Sequence, residues 1–259
     1  MITITLLQEK GGVGKTTLAT HLAAGLAIEG QRVVLVDADA QANATLALGI
    51  DEKPGLYDLL IRDAAFKDVL LRVSPDVYTS APPAGELLLV PSNVEARNIA
   101  NMLPDVNAVR ERFEELENWA DAVIFDTPPT PSLFHSAIYV ATDAVLYPST
   151  CEALALAGLE KSMGRLNASG TYRTGSGHKP IQIVGIVPTM YRSTTLHNYN
   201  LEQLREQHGA LVWKPLPQRI IWSEAMQLRQ TVFAYAPTSE ASNEAWEIVH
   251  HVKQSTTVR

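Results

Sequence analysis

One cysteine, Cys151, stands in 259 residues. A single thiol excludes a disulfide within the chain, and it excludes zinc or iron–sulfur sites built from several cysteines of one chain. No apolar run approaches the roughly 18 residues of a membrane-spanning helix. The N-terminus enters strand-like sequence with no basic leader, so no signal peptide is expected. Cations are also scarce. Lys and Arg number 21 against 28 Asp and Glu, a net charge of −7, so the field of the whole molecule disfavours nucleic acid and any such contact needs a local basic patch. Neither a repeat nor a linker interrupts the sequence. With 46% hydrophobic residues to build a core, the expectation is one soluble, cytoplasmic domain over residues 1–259.

Short β-rich runs alternate with helical patterns, which predicts an α/β fold: a mostly parallel twisted sheet with helices on both faces. Strands are expected at 2–7, 32–37, 76–80, 87–91, 122–126, 144–148 and 182–187. Helices are expected at 15–29, where Leu18, Leu22 and Leu26 share a face, and at 56–71, 108–119, 154–166, 196–207 and 239–253. Residues 169–179 hold three glycines and no apolar run, and read as a mobile surface loop.

What the chain does carry is a glycine-rich loop directly after its first strand. Lys10, Gly11, Gly12, Val13, Gly14, Lys15, Thr16 and Thr17 form a phosphate-binding loop of the P-loop NTPase type. Its backbone N–H groups wrap phosphates, Lys15 reaches the β- and γ-phosphates, and the Thr16 hydroxyl is a ligand for Mg²⁺. The helix that follows points its positive end at the same anion. Glu9 stands where the ordinary pattern has glycine, and Lys10 is an extra lysine that cradling its own nucleotide does not require. Asp37 and Asp39 close the second strand, on the sheet edge where α/β proteins bind ligands. One of them can hold the metal shell or the loop, and the other can orient an attacking water. Asp126 ends the apolar run Val123, Ile124, Phe125, the usual place of a magnesium partner. His21 reads as packed and structural, and Cys151 as buried and inert.

Residues 10–17, 34–43 (VLVDADAQAN) and 123–129 (VIFDTPP) together resemble the ParA/MinD family of ATPases with a deviant Walker A motif. Residues 88–93, 148–159 (PSTCEALALAGL), 187–190 and 213–225 extend the resemblance over the chain and favour the ParA/Soj branch. The resemblance implies a weak Mg²⁺-dependent ATPase in which ATP drives a sandwich homodimer. That dimer binds DNA nonspecifically on the nucleoid, and a ParB-like partner stimulates hydrolysis and releases it. Lys10 then matches the lysine that reaches the partner protomer's ATP, and Gly11 the glycine packed at that interface. Asp39 matches the aspartate that positions the hydrolytic water, beside the metal. Thr16 and Asp126 match the metal partners. Met190, Pro217, Gln218 and Arg219 match segments that flank the adenine.

Two family arginines that contact DNA fall near Thr194 and Ile221 and have no counterpart here. Arg192, Lys214, Arg219 and Arg229 lie close by in sequence and are the candidate substitute patch. A MinD-like membrane-cycling ATPase is the first alternative, but residues 247–259 hold only Lys253 and Arg259 as fixed cations. A P-loop metabolic synthase is the second, and it leaves Lys10 without a role. The start at strand one leaves no room for an N-terminal helix-turn-helix domain.

Overall fold

The computed structural model describes residues 1–256; Arg259, counted above in the C-terminal tail, lies outside them. Seven strands form one sheet: β1 (Ile2–Leu6), β2 (Arg32–Asp37), β3 (Leu71–Arg72), β4 (Glu86–Val90), β5 (Ala122–Asp126), β6 (Ala144–Thr150) and β7 (Gln182–Thr189). The order is β3-β4-β2-β5-β1-β6-β7. Every pairing is parallel except the two-residue edge pairing of β3 with β4. Strands of a covered parallel sheet are buried on both sides, and β5 (AVIFD) and β6 (AVLYPST) are buried at every position. Where β1 places threonine inside, polarity is met locally, with Thr5 Oγ1 lying 2.6 Å from Thr142 Oγ1.

Thirteen helices accompany the sheet among the described residues: α1 (Lys15–Ile28), α2 (Asn43–Ala47), α3 (Leu56–Ile61), α4 (Phe66–Val69), α5 (Pro75–Tyr78), α6 (Ile99–Met102), α7 (Ala108–Glu114), α8 (Leu133–Ala141), α9 (Ala153–Gly175), α10 (Thr195–His208), α11 (Ile220–Gln227), α12 (Val232–Tyr235) and α13 (Glu240–Ser255). One core packs α1, α12 and α13 against the sheet; the other covers the opposite face with α3, α7 and α8. A third cluster joins α9 and α10 to β6 and β7. In the first core, a Cβ at Gly25 of α1 would sit 2.4 Å from Val249 Cγ2 of α13, so the two helices cross at a point that admits no side chain. The apolar face of α13 (Ala245, Ile248, Val249, Val252) is spent on this core. Among the described residues no helix is long and apolar enough to cross a membrane.

Three expected segments differ. The helix over 56–71 is α3 and α4 followed by β3, because Asp63 takes a left-handed φ of 55° between them. The strand over 76–80 is the helix α5, started by Pro75 at its first turn. The loop over 169–179 is mostly helix, since α9 continues to Gly175. Arg173 pins that last turn by donating to the carbonyls of Val140 and Thr142 and to Asp143. Helices α8 and α11 were not anticipated.

Candidate nucleotide site

Three central strands, in the order β2-β5-β1, end together. Asp37 is in register with Asp126, and Asp126 with Leu6. The loop after β1 therefore emerges beside both aspartates. In that loop Gly12 and Gly14 have φ of +72° and +92°, a region that side chains disfavour. Thr189, at the end of β7, supports the loop by donating from Oγ1 to Val13 O at 2.8 Å.

Lys15 is buried at the start of α1, and its Nζ donates to the carbonyl of Lys10 at 3.2 Å. Burial pushes its pKa down, while the nearby charges of Asp126 and Asp39 pull it up. Both are the surroundings of a lysine meant to meet an anion. Thr16 Oγ1 donates to Asp126 Oδ2 at 2.6 Å. The other carboxylate oxygen, Oδ1, is buried and has no hydrogen-bond partner among the described residues. Burial, and then the charge of Asp37, push the Asp126 carboxyl above the usual carboxylate range. A carboxylate with an unspent oxygen next to a threonine hydroxyl is the hard oxygen donor set that Mg²⁺ takes. These residues fit a Mg²⁺–nucleotide: Thr16 and Asp126 would hold the metal, directly or through water, and the metal would neutralise phosphate charge.

The two other aspartates divide their work. Asp37 is fully buried and accepts from the backbone and hydroxyl of Thr45 at 2.8 and 2.7 Å. It fixes the entry to α2, and burial raises its pKa to about 6. Asp39 is half-buried, and among the described residues its one side-chain hydrogen bond is from the Gln41 N–H, 2.9 Å from Oδ1. Asp39 is thus the carboxylate left open toward the loop. His135 holds the turn after Asp126 by placing Nε2 2.8 Å from Pro128 O.

Lys10 points elsewhere. Its Nζ lies 2.7 Å from Glu152 Oε2 on an open surface, with side-chain exposures of 30% and 55%. A Cβ at Gly11 would meet nothing within 4 Å.

Beside the loop opens a cavity of about 770 Å³, lined by Gly14, Thr17, Thr189, Met190, Pro217 and Gln218 among others. Two segments form its wall as a short ladder. Tyr191 N–H donates to Leu216 O, and Gln218 N–H donates to Tyr191 O. Met190 sits at a φ of +50°, held there by this ladder on one side and β7 on the other. All four residues expected beside a base thus lie at one cavity, but the Arg219 guanidinium is bound to Glu244 and Glu240 of α13.

The four cations of the candidate basic patch have the following partners. Lys214 pairs with Glu247 at 3.1 Å, Arg219 with Glu240 and Glu244, and Arg229 with Asp51 at 2.9 Å. Arg192 donates to Gln218 and has no acidic partner among the described residues. The four do not form a free basic surface. Sequence reasoning also missed Glu152, Thr45 and Thr189 as partners of the site. Glu152 lies within a segment already noted for its resemblance, and only its distance to Lys10 reveals its part.

A family model described as an AAA domain matches residues 1–171. The chromosome-partitioning ATPase Soj of Thermus thermophilus is 34% identical, over 93% of this chain and 90% of its own length. The chromosome partitioning protein ParA of Caulobacter vibrioides is 30% identical, over 90% and 86%. Among solved structures, apo McdA from Cyanothece superposes with a TM-score of 0.80 at 18% identity, covering 98% of this chain and 99% of that one.

Proposed function

The chain belongs to the ParA/Soj family of ATPases, and on that premise we propose that it is an ATP-driven positioning switch. Mg²⁺–ATP binds with its phosphates in the loop of residues 10–17, its metal at Thr16 and Asp126, and its base in the cavity at Met190 and Pro217. Asp39 orients the water that attacks the γ-phosphate and stands beside the metal as an outer neighbour of the ion. Two ATP-loaded protomers close face to face, each Lys10 reaching the other's nucleotide. The dimer holds DNA without regard to sequence, in the cytoplasm on the nucleoid, until a ParB-like partner accelerates a slow hydrolysis.

The observation that carries this reading is the divergence of the two lysines. Lys15 turns inward over the loop's own phosphate site, whereas Lys10 lies on the open rim with Glu152. The bare Gly11 beside it has no packing reason within one protomer. A lysine and a glycine placed this way serve a second molecule. The test is size-exclusion chromatography of the Asp39→Ala protein with ATP, followed by a nonspecific DNA shift on the dimer fraction. A dimer that persists and shifts DNA is expected, because the phosphate contacts remain when the water-orienting carboxylate is gone. An Asp39→Ala protein that stays monomeric with bound ATP, or turns over normally, refutes the scheme.

A further inference from the structure

One stripe of α9 grips the front of the phosphate loop. Gln8 Nε2 donates to Ala155 O at 3.3 Å, and Glu9 N–H donates to Ser162 Oγ at 3.1 Å. A Cβ at Gly158 would stand 3.0 Å from Gln8 Oε1 and 3.7 Å from Lys10 Cβ, so α9 runs directly against residues 8–10. One turn on, Arg165 Nε lies 2.8 Å from Glu9 Oε1. Residues 155, 158, 162 and 165 recur at the three-and-four spacing of a single helix face.

Glu9 itself is unusual. Its side chain is only 11% exposed; Arg165 is its one ion-pair partner among the described residues, and the contact is purely electrostatic, since the buried Oε1 accepts no hydrogen bond among them. Tyr139 of α8 and Tyr147 of β6 lie near enough to feel its charge, which adds to burial in raising both phenols. Their hydroxyls are buried with no hydrogen-bond partner among the described residues, so neither is bonded to Glu9.

We propose that Glu9 and Arg165 are a positioning pair for Lys10: the ion pair ties the residue before Lys10 to α9, so that Lys10 leaves the loop toward the open face. The proposal rests on the reading of Lys10 as the residue that acts across the dimer. Its physical content is an asymmetry. Without Arg165 a nearly buried carboxylate has no partner and must turn toward water, carrying the loop with it. With Gln at position 9 no buried charge is left uncompensated, which removes the larger part of that penalty.

The test compares the full chain with Arg165→Met, Glu9→Gln, the double variant and Lys10→Ala. ADP affinity, ATP-driven dimerisation, and the acylation rate of Lys10 in the ADP-bound monomer, read by mass spectrometry, are measured on each. Arg165→Met is expected to weaken dimerisation about tenfold and to change Lys10 acylation at least about threefold, with ADP affinity held within about twofold. Adding Glu9→Gln to that background is expected to restore dimerisation to within about threefold of wild type and Lys10 acylation to within about 1.5-fold. Three results overturn the proposal: wild-type behaviour in Arg165→Met, a double variant as impaired as the single, or a parallel fall in ADP affinity that marks general damage. If Lys10→Ala dimerises and hydrolyses normally, the cross-dimer reading falls, while the acylation rates still decide whether the pair positions Lys10.

Discussion

Replacing Glu152 by glutamine should strengthen ATP-driven dimerisation. In the single protomer Lys10 is held by its own Glu152 at 2.7 Å. A lysine that must reach a second nucleotide has to leave that partner first, so the ion pair stabilises the monomer. Both side chains are substantially exposed, at 30% and 55%, which places the pair among surface salt bridges. Such pairs contribute about 0.2–1 kcal/mol each. Two are broken per dimer, so the monomer is favoured by about 0.4–2 kcal/mol, or about 2- to 30-fold in the dimerisation constant. Sedimentation of Glu152→Gln and wild type with ATP, each in an Asp39→Ala background, measures the ratio directly. The gain should shrink as salt rises, because exposed pairs are screened. A dimerisation constant that is unchanged or lower in Glu152→Gln would show that Glu152 is not a restraint on Lys10.

Three further outcomes are expected. His21 is buried between α1 and α12, its Nε2 accepting the Val232 N–H at 2.9 Å and its Nδ1 2.6 Å from Thr17 O, and burial lowers its pKa from 6.5 to about 4. The unfolded chain therefore takes this proton near pH 6.5 and the native protein only near pH 4, so stability should fall by about 3 kcal/mol as pH drops through that window; urea titrations from pH 7 to 4 should lose this component in His21→Gln. Gly25→Ala should destabilise by about 1–2 kcal/mol, since the overpacking cost exceeds the better helix propensity of alanine, and Val249→Ala in the same chain should recover part of the lost urea midpoint. Arg192→Glu should weaken the DNA shift of the ATP dimer without changing dimerisation, and wild-type binding should show a log–log salt slope near −2 if only the two Arg192 side chains meet phosphates, about −0.9 for each contact.

The nucleotide site was largely legible because its parts are local. A strand, a loop with glycines at fixed offsets, and a lysine and threonine opening a helix are set by neighbouring residues. The strand register then brings Asp37 and Asp126 to the same edge. The departures from expectation have equally local or equally distant causes. Leu56, Tyr57, Leu59, Phe66 and Val69 are all buried, so their spacing mimics one helix; the left-handed Asp63 turns the chain between two short ones. Pro75 after Ser74 was a helix-start signal hidden by the neighbouring Val77 and Tyr78. The end of α9 is different. Its glycines argue for a loop, and a buried arginine reaching Val140, Thr142 and Asp143, some thirty residues away, overrides them.

The candidate basic patch depends on ion pairs that proximity in sequence does not reveal. Cations close in sequence were counted as if each were free. Lys214 is bound to an acid 33 residues away, Arg219 to one 25 away, and Arg229 to one 178 away. Phosphate must compete with those acids: the Lys214 and Arg229 pairs are exposed and weak, like Lys10–Glu152, whereas Arg219 is held by the nearly buried Glu244. In a chain with seven more acids than bases, intramolecular pairing is the rule that an anion-binding surface must escape. Arg192 has no acidic partner among the described residues and lines the cavity beside the loop of residues 10–17. Were DNA held through Arg192 alone, two protomers would have to act together. On the proposed reading, the closure that would bring each Lys10 to the opposite nucleotide would also make such phosphate contacts bivalent, so an ATP dependence of DNA binding would need no rearrangement of the protomer surface.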